Sequence, residues 1–387
     1  VRASAFVYPW DVNGDLRAAD RIAALGVDQV TLASAYHSTR ALTPRHPRHR
    51  VVTAGHAAVL YPADRRWKGR TLRPGTAGGW APGDAFGEAA GALAGAGLEV
   101  HTWVVLAHNS RLGEEHPEIS VVNAYGDRYP WAPCVAQPGT RAYLVDLAAE
   151  AAVRPGARGT ELESLGWYGL AHLQAHDKIG GVALGDAGQY LMSLCFCGSC
   201  RDGYREQGLD AGELAAAVRA ALEPVWRGAP SGGGWAGVEK LLGDTLAAAT
   251  RAWRDTTART LQEAAVAAVR AAAPTGFQVL LHADPVSYHC GANVGVDPEH
   301  ILSVADGVVV PCTGGAGLLT PFAERGHDGA VLAANFSVVS GMGGSPATLR
   351  QDARGAADLG AGELRLYHAG LASDGDLEAV REALAAL

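Results

Sequence analysis

Cysteine is scarce, with six residues in a chain of 387. That excludes a small disulfide-held scaffold, which needs a much higher density, and makes reduced surroundings the expectation. Long apolar runs are missing as well: nothing approaches the roughly 18 to 20 uninterrupted residues of a membrane span. The opening "VRASAFVYPW" carries no charged-then-apolar leader, so a cytoplasmic or trimmed chain is expected. Blocks of one charge are also lacking. The 40 acids and 32 bases leave a net −8 spread along the chain, which argues against nucleic acid or an anionic membrane as partner. A small neutral molecule fits better, and a homo-oligomer stays open. No Gly-rich phosphate fingerprint comes after the first strand-like run, which disfavours a dinucleotide fold.

What is present is a regular alternation. Strand-like runs occur at 4–10, 29–37, 99–109, 160–167, 277–284, 307–312, 330–337 and 363–370, with helical patterns between them. After the first, "GDLRAADRIAALG" puts Leu16, Ala19, Ile22 and Ala23 at helical spacing and stops at Gly26. Before the last, Ser345 and Pro346 read as a helix start and Gly360 as its stop. Eight strands alternating with helices predict an α/β chain folded as one (β/α)8 TIM barrel over residues 1–387. Three connections are longer than links require: residues 38–83, 110–140 and 168–260, after strands 2, 3 and 4. All three leave carboxyl ends of strands, the face where barrels carry their sites. A lid or wall over the strand ends is the expectation for the first two.

The strand ends supply the candidates. In order they give Tyr8, Trp10 and Asp11; Tyr36 and His37; Trp103, His108 and Asn109; Glu161 and Glu163; His282 and Asp284; Cys312; Asn335; Tyr367 and His368. Rings, amides and acids without lysine or arginine suit a neutral polyhydroxylated ligand, with aromatic faces against the sugar and polar atoms on its hydroxyls. In "TELESLGW", Glu161 and Glu163 are two apart in a strand and share a face. Glycoside hydrolysis needs two carboxyl groups flanking the bond. Glu163 is the first choice as general acid/base, with Trp103 and Trp167 expected as an apolar wall; Asp284 is the expected second acid, with Glu161 and Asp11 in reserve. His172 and His176, four apart in "GLAHLQAHDK", share a helix face at a zinc-like spacing but lack the glutamate of the protease motif. Ligand contact from a loop is the reading preferred for them.

"CFCGSC" places Cys195, Cys197 and Cys200 within six residues, close enough for one tetrahedral metal. Cys134, in the neighbouring long loop, is the expected fourth ligand of a structural zinc site. The run "CFCGSCRDGYREQGLD" resembles the segment after strand 4 of family 42 glycoside hydrolases, the β-galactosidases, and of similar hydrolase-like barrels. "NAYGDRYPWAPCVAQPGTRAYL", residues 123–144, resembles their segment after strand 3. The resemblance implies a structural zinc on Cys134, Cys195, Cys197 and Cys200. It does not carry the family's acids over: strand 4 has "ELES" where the family has an Asn-Glu pair, and strand 7 ends "AANFS", with Asn335 in place of a glutamate. The expected activity is glycoside hydrolysis. The rivals are a metal-dependent sugar isomerase or hydrolase using His282, Asp284 and a glutamate, and a sugar-binding barrel without catalysis.

Overall fold

The computed structural model describes residues 1–171 and 177–387. Eight parallel strands form its centre: β1 Arg2–Val7, β2 Gln29–Tyr36, β3 Glu99–Val105, β4 Gly159–Glu163, β5 Gln278–Asp284, β6 Gly307–Pro311, β7 Val331–Ser337 and β8 Glu363–Tyr367. Each pairs with the next in sequence, and β8 pairs with β1, so the sheet closes on itself. All eight strand-like runs read from the sequence are barrel strands. Closure leaves no edge exposed and requires a helix after each strand to cover its outer face. Those helices are α1 Ala18–Ala23, α2 Ala85–Gly95, α3 Pro138–Ala152, α4 Asp244–Ala272, α5 Pro298–Val304, α6 Thr320–Ala323, α7 Leu349–Asp358 and α8 Asp374–Ala385.

Local chemistry sets the helix ends. Gly26 stops the turn after α1 at φ +85°, and Gly360 does the same after α7 at φ +97°, a backbone region other residues rarely adopt. Ser373 accepts the Asp376 N–H at 3.1 Å to start α8. Ser345 makes no such bond; Pro346 opens a 3-10 turn that runs into α7. The third long connection ends at Gly243, well before residue 260, because α4 runs 29 residues without a glycine or proline. The second ends where Pro138 opens α3.

Leu32, Val104, Leu162, Leu281, Val308 and Leu366 face the helices and fill the outer core. Inside, Leu280, Val309 and Ala333 pack together on one side. The other side is polar. The Ser4 and Thr31 hydroxyls are 2.8 Å apart, and Thr31 donates to Glu161 at 3.2 Å. Arg365, fully buried, donates from Nε to the same Glu161 oxygen at 2.6 Å.

The long connections rise from the carboxyl face. Residues 39–54 form a hairpin whose Val52 and Ala54 pack with Tyr8, Trp10 and Tyr36. Arg45 crosses from it to donate to the Gly370 carbonyl at 2.9 Å, tying it to the loop after β8. A second hairpin, Ser120–Val122 with Arg128–Pro133, leans on the loop after β4 through the Trp131 indole, which donates to Gly169 at 3.0 Å. Both connections form walls beside the mouth. Among the described residues, no helix is long and apolar enough to cross a membrane.

Candidate active site

Alternation decides which side chains enter the barrel, and one irregularity alters it. Ala33 pairs with Trp103 but Ala35 pairs with Val104, so Ser34 is an extra residue in β2. A bulge of this kind re-aims the side chains beyond it. Strict alternation would turn Tyr36 outward after Thr31 and Ala33. The bulge instead puts Ala35 with the outer core and Tyr36 with Tyr8 and Trp103 inside. Two residues at strand ends hold left-handed backbone without being glycine: Ser164 (φ 59°), directly after Glu163, and His368 (φ 62°), directly after β8. Such strain concentrates where a site over-determines the backbone.

Glu163 is 3 % exposed and its Oε2 is held from two sides. The Trp103 indole N–H donates to it at 2.7 Å and the Tyr367 hydroxyl at 3.4 Å. Trp103 thus serves as a hydrogen-bond donor, where an apolar wall was expected. Trp167 points elsewhere, donating to the Arg254 carbonyl at 3.0 Å. Glu161 shares the face of Glu163 and lies in the polar interior. Burial pushes its carboxyl up, but Arg365 and then His282 outweigh that and hold it at about 2. His282 stands between the acids: Nε2 is 3.4 Å from Glu161 Oε2, and Nδ1 is 4.0 Å from Glu163 Oε2.

Above this column runs an arc of rings. His368 Nδ1 is 3.0 Å from the Tyr8 hydroxyl, which donates to the Tyr36 hydroxyl at 2.9 Å. Tyr36 stacks on His37 with centroids 4.2 Å apart, His37 meets His108 edge-on at 5.0 Å, and His108 stacks on Tyr168 at 4.2 Å. Trp10 stacks on Tyr8 at 4.6 Å. Burial drives His368 down to about 3, helped by His37, and lowers His37 as well. Burial raises Tyr8 and Tyr367 well above the usual phenol range. His37, His368, Tyr8 and Tyr367 are therefore neutral near pH 7.

Of the sequence candidates, Tyr8, Trp10, Tyr36, His37, Trp103, His108, Glu161, Glu163, His282 and His368 come together here. Others are engaged elsewhere. Asp284 uses both oxygens within its own loop, accepting from the Val286 N–H at 2.8 Å and facing His289 Nδ1 at 3.0 Å. Asp11 accepts the Tyr8 N–H at 2.8 Å to close a short helix at Pro9–Val12. Burial raises its carboxyl to about 7, against the pull of the Tyr8 N–H and Arg45. Asn109 caps the helix at Ser110–Glu115 by accepting the Leu112 N–H at 3.0 Å. It borders a side cleft of about 360 Å³ with Arg111 and Glu115. A cleft of about 560 Å³ beside α7 is also away from Glu163, lined by Thr313, Ser345 and Thr348 among others. We place the site where buried polar groups converge, since that convergence and not open volume does chemistry. Asn335, two residues before the end of β7, has a buried, unpaired Oδ1. His172 and His176 lie outside the described residues. Arg365 and Tyr168 were not among the candidates; an arginine inside the apolar run "ELRLY" was the signal that could have flagged Arg365.

The second cluster lies between the connections that follow β3 and β4, buried in the outer core. Cys134, Cys195, Cys197 and Cys200 are all buried, with sulfur atoms within 4.8 Å of one another. Cys134 Sγ lies 3.6 Å from both Cys197 and Cys200. Four sulfurs around a metal at about 2.3 Å would sit about 3.8 Å apart, so the set fits a closed tetrahedral site. Hydrogen bonding among the cysteines and burial push the Cys134 thiol up; a divalent cation is what lets four crowded thiols all ionise. It is the one group of potential metal ligands among the described residues; His282, Asp284 and a glutamate do not gather into a second.

No protein-family model and no curated protein matches the chain. Solved structures do match. The glycoside hydrolase domain of PgaB from Bordetella bronchiseptica aligns over 99% of this chain and 98% of its own, with TM-score 0.58 and 16% identity. A GH42 β-galactosidase from G. stearothermophilus aligns over the whole chain with TM-score 0.58 and 12% identity, as does an α-L-fucosidase from Paenibacillus thiaminolyticus with the same two values. The chain spans 56% of the galactosidase and 49% of the fucosidase. The fold is the (β/α)8 barrel that these glycoside hydrolases share. At such identities the likeness speaks for the fold alone.

Proposed function

We propose that the chain is a carbohydrate-active hydrolase that cleaves an O-glycosidic bond with Glu163 as general acid/base. The observation that carries this is the carboxyl of Glu163 at the mouth, fixed by the Trp103 N–H and the Tyr367 O–H under an arc of rings in which His368 is neutral; with no second carboxyl beside it among the described residues, Glu163 serves first as acid and then as base, in place of the pair expected from the sequence. Neutral imidazoles and phenols fit sugar hydroxyls, and the ring faces fit the apolar side of a pyranose. Glu163 protonates the departing oxygen as the C–O bond breaks; water then adds to the sugar and its proton returns to the same carboxyl. Glu161 is read as a fixed charge beneath the site, because Arg365 already pairs with it. Asp284 is read as the anchor of the loop after β5. Four buried thiols at tetrahedral spacing support a structural zinc and suit a reducing compartment such as the cytoplasm. The likeness to glycoside hydrolase barrels agrees with this reading.

The test is turnover on natural and activated aryl glycosides. Glu163→Gln keeps the hydrogen bonds but cannot supply the proton, so turnover of a natural glycoside falls about 10²- to 10⁴-fold. An aryl glycoside with a good leaving group is spared by comparison. Tight sugar binding with no turnover of any glycoside by the unaltered protein would replace this reading with a sugar-binding barrel.

A further inference from the structure

The loop after β6 and one flank of α7 enclose the cleft of about 560 Å³, a size typical of small-molecule sites. Thr348, Asp352, Gly355 and Leu359 line it, and their helical spacing sets them on one face. α6 has four residues against ten in α7, too short to cover that face along its length. A glycine inside a helix costs stability. Nothing lies within 4 Å of where a Cβ on Gly355 would stand, so the residue leaves space that the fold does not use.

The rim of the cleft is hydroxylic. Thr313 Oγ1 accepts the Ser337 N–H at 2.8 Å and keeps its own proton to donate. Thr348 donates to Asp352 Oδ2 at 2.6 Å, leaving the other carboxylate oxygen to accept. Phe336, Leu349 and Leu359 add apolar surface. Among the described residues no lysine or arginine lines the cleft, so a phosphorylated or carboxylated ligand would find no counter-charge. Donors, an acceptor and apolar surface together suit a neutral sugar. The cleft and the mouth also share a residue. Ser337 lines the cleft and, by alternation with Ala333 and Asn335, falls on the interior face of β7. It is in register with Tyr367 of β8, whose hydroxyl donates to Glu163. A chain with one bond under the arc of rings therefore reaches the cleft by crossing the end of β7.

We propose that the substrate is an oligosaccharide or polysaccharide whose residues beyond the cleaved bond are held in this cleft. This rests on the reading of Glu163 as the acid and names the substrate class of that same site. The test uses the aryl glycoside that screening identifies and oligosaccharides of two to five residues built on the same sugar. From disaccharide to pentasaccharide, kcat/KM should rise about tenfold or more, mostly through KM. Gly355→Trp fills the cleft, so it should remove that rise and lower the pentasaccharide-to-aryl-glycoside ratio of kcat/KM by about tenfold. Asp352→Ala adds no bulk and should lower the same ratio about three- to tenfold, the worth of a hydrogen bond. Binding is read separately by hydrogen exchange on Glu163→Gln: the pentasaccharide should protect amides at 313–316 and 345–352, and the monosaccharide should not. Efficiency independent of chain length, a length dependence that both cleft variants retain, or no protection at these amides overturns the proposal. No turnover of any glycoside would instead remove the reading of Glu163, and the proposal with it.

Discussion

Two glutamates two residues apart end up in different chemistry because their neighbours come from different strands. Glu161 meets Arg365 from β8 and is held at about 2, whereas Glu163 meets the Trp103 N–H from β3 at the mouth. Because the folded value of Glu161 lies below the roughly 4.3 of an unfolded glutamate, its ionisation stabilises the fold above about pH 4.3. That contribution is lost as pH falls from there through about 2. The urea midpoint should therefore drop steeply over this window. Glu161→Gln leaves Arg365 buried and uncompensated, so it should cost about 3–5 kcal/mol at neutral pH and should lack that part of the acid slope. Equal stability of the two proteins at pH 7 would mean that the pair contributes nothing. The shared face of the two acids was legible in the sequence, since alternation in a strand fixes it. Their unlike roles were not, because Arg365 lies 204 residues away from Glu161.

Among elements, the long connections are the ones whose placement depends most on side chains far apart in sequence. The cysteine cluster joins the end of the hairpin at Arg128–Pro133 to the helix at Gly198–Glu206, so it clamps the walls after β3 and β4 to each other. With the proposed zinc in place, the purified protein should carry about one metal ion per chain. Chelation under mild denaturant should lower Tm by several degrees, since binding energy in a closed site is folding energy. Turnover at low temperature should change far less, because the cluster does not touch Glu163. A stable protein with no bound metal would end this assignment. The cysteine spacing made the cluster readable in advance. The bulge at Ser34 was not readable: the run "TLASAY" alternates as well without it, and only pairing with β3 shows that one residue is extra. Asn109 and Asp11 are misleading for a related reason, since a strand-end amide or acid can equally well cap the next helix, and here both do so.

At the scale of the whole molecule, the walls are bound to the barrel by Arg45 on the loop after β8 and by Trp131 on the loop after β4. We expect residues 1–387 to behave as one domain. Tryptophan fluorescence and far-UV circular dichroism should then report the same urea transition for the metal-bound protein; two separated transitions would divide the chain. The sequence by itself determined the barrel: eight apolar runs alternating with helical patterns leave few other ways to bury both faces of a parallel sheet. It also determined the grouping of Cys195, Cys197 and Cys200, because thiols two and three residues apart are close in any compact turn, and the shared face of Glu161 and Glu163, because strand geometry is local. Only the tertiary structure decided that Asp284 turns into its own loop, that Trp103 donates to Glu163, and that Arg365 and His282 flank Glu161. Those outcomes depend on the stagger of eight strands around a closed barrel. Stagger is set by the packing of the whole ring, which no single segment encodes.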